Sequence, residues 1–152
     1  MSETPTPMDL DPNIFRAYDI RGIVNQSLSN EVVYWIGRAF AAEARGQGQS
    51  RVVVGGDGRP SSSSLRKALT CGLIHGGCEP LVIGCVPTPV LYYATHALKT
   101  GTGIMITGSH NPPEYNGLKM MIGGIPLSAD AIQRIRNRIL TAAFSNGDVD
   151  QK

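Results

Sequence analysis

Aromatic residues are scarce in this chain, at 6% with a single tryptophan, and the formal net charge is only +2. A nucleic-acid binder needs a basic stripe interleaved with base-stacking aromatics. The lysines and arginines here are scattered instead, so no nucleic-acid partner is expected. Long apolar runs are missing too: no stretch approaches the roughly 20 residues a membrane helix requires, and no membrane partner is expected. The opening residues, Met1 to Pro7, have neither the basic nor the apolar region of a secretory signal. They read as part of a flexible lead-in over 1–12, and the expected location is cytoplasmic. Cysteine is equally thin. Cys71, Cys78 and Cys85 are evenly spaced, with His75 among them, but no C-x-x-C pair is present to support zinc. They read as one residue on a helix face, one at a turn and one at a strand end.

What is present suffices for one domain with a real core: 152 residues, 41% of them hydrophobic and 17% charged. Ser29 can cap a helix whose Val32, Ile36 and Phe40 keep helical spacing, ending at Gly46. Arg51 to Gly55 is a short β-branched run, as in a strand buried on both faces. A helix follows from Ser61 to Gly76 with Leu65, Leu69 and Leu73 on one stripe. Then come a strand at Leu81 to Gly84 and a helix opened by Thr88-Pro89 and running to about Leu98. Two more strands are expected at Gly103 to Thr107 and Leu118 to Ile122. Ser128 caps a last helix with Ile132, Ile135 and Ile139 inward, and Arg134 and Arg138 outward. The segment Phe15 to Val24 carries too much charge for a core strand and reads as an extended surface turn.

Alternating strands and helices predict an α/β fold, a three-layer α/β/α domain over 13–145 with a mixed, mostly parallel four-stranded sheet. The last two strands are joined by too few residues for a helical crossover, so that pair should be antiparallel. Residues 146–152 read as the start of a linker to an absent second domain.

Ligands of α/β sheets gather at the carboxyl ends of strands. Gly55 to Arg59, Val86 to Pro89 and Thr107 to Gly117 all meet that rule. In the last, Ser109 follows a glycine at a strand end, with His110, Asn111 and Lys119 as donors or proton carriers. Pro112 and Pro113 stiffen the loop, which suits phosphoryl transfer, where positioning and charge neutralisation dominate. By composition alone the segment could equally be a turn made of turn residues. A serine-hydrolase elbow would need glycine two before and two after the serine, where Thr107 and Asn111 stand. Gly55 to Arg59 lacks the Gly-Lys-Ser/Thr ending of a phosphate loop. Arg21 could fork onto a phosphate, or could simply pair with Asp19 in solvent.

Thr107-Gly108-Ser109-His110-Asn111-Pro112-Pro113-Glu114-Tyr115-Asn116-Gly117, followed by Lys119, resembles the active-serine signature of the α-D-phosphohexomutases. Phe15 to Gly22 is similar to the N-terminal signature of that family's bacterial phosphomannomutase/phosphoglucomutase branch, and Val86 to Tyr93 resembles the branch as well. The resemblance implies the first of four domains around a cleft, with the remaining domains as partners. It implies that Ser109 carries a phosphoryl group exchanged with hexose 1- and 6-phosphates through a hexose 1,6-bisphosphate, which is also the activator. It implies Mg2+ held through the phosphate on Ser109, proton transfer by Lys119, His110 in the active loop, and Tyr18 and Arg21 lining the cleft with Ser109 and Lys119.

Two departures stand out. Gly56 replaces the arginine usual in that branch, leaving Asp57 and Arg59 as the charges of its strand-end motif. The family's Asp-Gly-Asp-x-Asp metal loop and its sugar- and phosphate-binding loops have no counterpart in this sequence. The chain by itself is therefore expected to show no mutase turnover. A phosphoglucosamine mutase domain and a non-catalytic phosphosugar-binding module are the alternatives.

Overall fold

The structure is a computed structural model that describes residues 10–144. Residues 1–9 of the expected lead-in and the whole of the expected linker lie outside the described residues. A single 3-10 turn, Pro12–Ile14, begins on Asp11, whose carboxylate accepts from the Asn13 amide at 2.9 Å.

Ten strands and helices follow among the described residues: β1 (Ile20–Ile23), α1 (Asn30–Gly46), β2 (Arg51–Gly56), α2 (Pro60–His75), β3 (Glu79–Cys85), α3 (Thr88–Ala97), β4 (Gly103–Ile106), β5 (Tyr115–Ile122), β6 (Ile125–Pro126) and α4 (Ala129–Thr141). The sheet runs β1-β5-β4-β2-β3, with β6 paired to β5. β2 pairs parallel with both β3 and β4. β5 is antiparallel to each of its partners, so it alone runs against the rest.

The sheet thus has six strands where the sequence pattern predicts four. The charge in Phe15 to Val24 argues against a core strand, but β1 is an edge strand. Ile20 is fully buried while Arg21 on the opposite face is not, and an edge strand with one solvated face tolerates that charge. β6 has only two residues, one a proline, too short for any periodic signal.

The apolar residues sort by sheet face. Val52, Val54, Ile104, Ile106, Leu118 and Met120 pack in the main core beneath α1, α2 and α4. Val53 and Met105 point the other way and meet Leu91 of α3 in a second, smaller cluster. This is the three-layer arrangement that alternation along the strands requires.

Helix starts follow their chemistry. The Ser29 hydroxyl accepts from the Val32 amide and the Ser128 hydroxyl from the Ala131 amide, both at 3.2 Å. α3 departs slightly from expectation: Pro87 occupies the cap position and Thr88 is already helical. α2 likewise begins one residue early, at Pro60, with Arg59 extended before it.

α1 and α2 cross at glycines. A Cβ added to Gly37 would stand 2.7 Å from the Leu69 carbonyl oxygen, and one on Gly72 would overlap the Tyr34 carbonyl. Arg134 and Arg138, expected to face outward, instead fold onto Glu43 of α1 at 3.1 and 2.6 Å. Glu43 is only 9% exposed, and a buried carboxylate requires such partners.

Cys71 is exposed on α2, Cys85 is exposed at the end of β3, and Cys78 is buried in the turn between them. Burial pushes the Cys78 thiol up to about 11, against the smaller opposing pull of the Arg45 charge. His75 shares a 2.7 Å hydrogen bond with the Tyr34 hydroxyl. Among the described residues no helix is long and apolar enough to cross a membrane.

Candidate active site

The carboxyl ends of β2, β3 and β4 and the start of β5 lie along one edge of the sheet, because only β5 is reversed. The chain leaves β4 at Thr107, whose amide still donates to Gly117 of β5 at 2.9 Å. It re-enters the sheet at Tyr115, and the intervening loop carries Ser109.

Ser109 has φ 54, a left-handed backbone that L residues adopt only when their surroundings impose it. Several contacts do so. The Ser109 amide donates to the Thr107 hydroxyl at 2.9 Å. The Asn111 amide and side-chain NH2 both donate to the Gly108 carbonyl, at 3.0 and 2.9 Å. Ser109 and His110 are exposed at the crest.

The loop rests on two residues from the end of β2. The Arg59 guanidinium donates to the carbonyl oxygens of Pro112 (2.7 Å), Tyr115 (3.2 Å), Ser109 (3.2 Å) and Asn111 (2.6 Å). Its Nε faces Asp57 Oδ2 at 3.4 Å. Asp57 Oδ2 also accepts from the Gly108 amide at 3.0 Å, while Oδ1 accepts from the Ser62 hydroxyl at 2.7 Å and the Arg59 amide at 3.1 Å.

Burial alone would raise the Asp57 pKa and is the largest single influence. The hydrogen bonds from Ser62, Arg59, Gly108 and Thr107 together outweigh it, and the carboxyl sits below its ordinary value. The fully buried Asn116 ties β5 to the start of α2, donating to Ser61 and Ser62 Oγ at 2.9 and 3.0 Å.

The other expected site residues come from β1 and β5. Arg21 pairs with Gly117, which bonds Thr107, so Thr107, Gly117 and Arg21 form one row across three strands. Lys119 pairs with Met105, whose side chain lies on the α3 side. Directly opposed residues share a face, and so do Gly117 and Lys119, two apart on one strand. Arg21 and Lys119 therefore lie on the α3 side together. α3 packs mainly on β2 and β4.

Arg21 does pair with Asp19, at 2.8 Å, and its side chain stays 29% exposed. Tyr18 is 81% exposed. Asp57 and Arg59, expected as the charges of a strand-end motif, are both engaged in supporting the loop. The signal was a charged pair at a strand end, but its target lies some fifty residues on and no local pattern shows it. At Gly56 a Cβ would meet nothing nearer than 3.6 Å, so the backbone does not require glycine there.

The fold is an α/β/α domain with an exposed, left-handed serine above the carboxyl ends of its strands. The profile described as "Phosphoglucomutase/phosphomannomutase, alpha/beta/alpha domain I" matches residues 12–146. The chain belongs to that family. It is 50% identical over 147 residues to a phosphomannomutase/phosphoglucomutase of Pseudomonas aeruginosa, covering 97% of this chain and 32% of that protein. It is 46% identical to a phosphoglucomutase of Neisseria gonorrhoeae, covering 92% of this chain and 31% of the other. The crystal structure of a phosphoglucomutase/phosphomannomutase family protein from Burkholderia thailandensis superposes with TM-score 0.84 at 41% identity, over 90% of this chain and 31% of that one. The chain thus spans about a third of the length of these relatives.

Proposed function

We propose that residues 13–145 form the nucleophile-bearing domain of an enzyme that interconverts hexose 1-phosphates and hexose 6-phosphates, with Ser109 as the phosphoryl carrier. A cytoplasmic setting belongs to the same reading. The observation that carries it is the left-handed backbone of an exposed Ser109, fixed by side-chain and main-chain bonds at the strand ends. Strain maintained at an exposed nucleophile fits a preorganised transfer site.

In the charging step the Ser109 oxygen attacks a phosphorus of a hexose 1,6-bisphosphate. The Oγ–P bond forms, the sugar O–P bond breaks, and the serine proton passes to the departing sugar oxygen. Lys119 is the proton carrier, Arg21 on the same sheet face neutralises the sugar phosphate, and His110 and Tyr18 border the entering substrate. Asp57 is held by hydrogen bonds in its ionised form and already has Arg59 beside it, so it serves the loop and not the proton.

The magnesium ion implied by the resemblance would be held through the phosphate on Ser109, and the family's carboxylate loop for it has no counterpart in this sequence. Among the described residues no group of three His, Cys, Asp or Glu could hold a metal, and Asp57 is already engaged. No step above runs through a metal. The sugar- and second-phosphate-binding loops that the resemblance implies also have no counterpart in this sequence, so the chain alone should not turn over.

Incubation with glucose 1,6-bisphosphate, followed by intact mass, should show one phosphoryl group added to the wild type and none to Ser109→Ala. A wild type that stays unmodified would overturn the assignment. A coupled assay should find no conversion of glucose 1-phosphate to glucose 6-phosphate by this chain alone; appreciable turnover would refute that part.

A further inference from the structure

We propose that Arg59 is a positioning residue for Ser109, holding the nucleophile's loop by its carbonyl oxygens without ever meeting the phosphate. The proposal rests on the reading of Ser109 as phosphoryl carrier. Arginine has five N–H donors and no acceptor. Nη1 and Nη2 donate to the carbonyls of Ser109, Asn111, Pro112 and Tyr115, and Nε faces Asp57. No donor remains for a substrate anion. An arginine that clamps phosphate needs N–H groups free to pair with its oxygens; this one has its fork closed by the protein and is only 17% exposed.

The four acceptors lie on both sides of the loop crest, so one rigid plane fixes the path of the chain before and after His110. The carbonyl of Ser109 itself is among them, which couples the guanidinium directly to the left-handed residue. The neighbouring glycine completes the device. A Cβ at Gly108 would fall on the Arg59 guanidinium, so the missing side chain is the space the arginine fills. Asp57 binds both, through the Gly108 amide and the Arg59 Nε. Three residues, two from the end of β2 and one from the end of β4, thus hold the serine. A lysine could keep the charge beside Asp57 but not the planar fork.

The experiment compares wild type with Arg59→Lys, Arg59→Ala and Gly108→Ala, measuring thermal melting, amide exchange by NMR and the rate of phosphoryl acceptance from glucose 1,6-bisphosphate. Loss of charge-assisted hydrogen bonds should speed exchange at the Asn111 and Tyr115 amides by about tenfold or more, with α1 and α2 unchanged. Phosphoryl acceptance should fall by a similar factor in all three variants, and methylguanidinium should restore part of it to Arg59→Ala but none to Arg59→Lys. If Arg59→Ala does not melt cooperatively, Arg59→Lys and Gly108→Ala decide.

Unchanged loop exchange in Arg59→Lys, or acceptance at the wild-type rate, overturns the proposal. If the wild type accepts no phosphoryl group, the function reading fails and the link to chemistry fails with it. The exchange data then decide separately whether Arg59 holds the loop.

Discussion

The two faces of the sheet are built to different standards. One lies under α1, α2 and α4 and holds the main core, from Ile36 and Phe40 to Leu69 and Ile135. The other has α3 mainly over β2 and β4, with a cluster of Val53, Leu91 and Met105. Arg21 and Lys119 lie on this thinner face, and the Ser109 loop rises at the sheet's edge. Folding free energy comes mostly from the thick face, which leaves the thin one free to carry charge. Side chains there can be chosen for chemistry because little packing depends on them.

The sharpest way to break this contrast is on the thick side. Leu69→Ala should lower stability by about 2–5 kcal/mol in urea unfolding, since the fully buried leucine lies where α2 meets α1 and the crossing cannot collapse around a cavity. A loss under about 1 kcal/mol would mean the thick face carries no special share. On the thin side, Lys119→Met should leave stability within about 0.5 kcal/mol yet abolish or strongly slow phosphoryl acceptance. A large drop in melting temperature would show that Lys119 is a structural residue.

The smallest expected effect concerns pH. The Asp57 carboxyl is depressed in the folded protein, so its contribution is complete above the unfolded-state value, ~3.9, and is lost as pH falls through the lower folded value. Wild type should therefore melt above Asp57→Asn at pH 7, with the gap closing on acidification. A gap that widens toward low pH would contradict the depressed carboxyl.

Much of the fold was legible because burial on both faces leaves β-branched runs such as Val52-Val53-Val54, and helices show stripes such as Leu65, Leu69 and Leu73. β1 was hidden because one strand face is solvated and its pairing with β5, with Ile20 opposite Leu118, is remote in sequence. Ser109 and Lys119 stood out through the motif they share. The partners of Arg134 and Arg138 did not, because helical spacing says which way a side chain leaves but not that Glu43 waits beside it. Arg59 was hidden for a further reason. It binds main-chain carbonyls, which every residue possesses, so the identity of its acceptors leaves no trace in the sequence.

The reversal of β5 also governs the order in which the parts of the site can be assembled. β4 and β5 are joined through a short turn, so the serine's loop closes with little loss of chain entropy. β1 meets β5 through pairs such as Ile20 with Leu118, about a hundred residues apart, and non-local pairings of that kind are slow. The Ser109 loop is thus a local feature of the chain, whereas the shared face of Arg21 and Lys119 is a global one. A molecule whose first strand has not yet docked can hold Ser109 in its loop but lacks Arg21 on the sheet face beside Lys119.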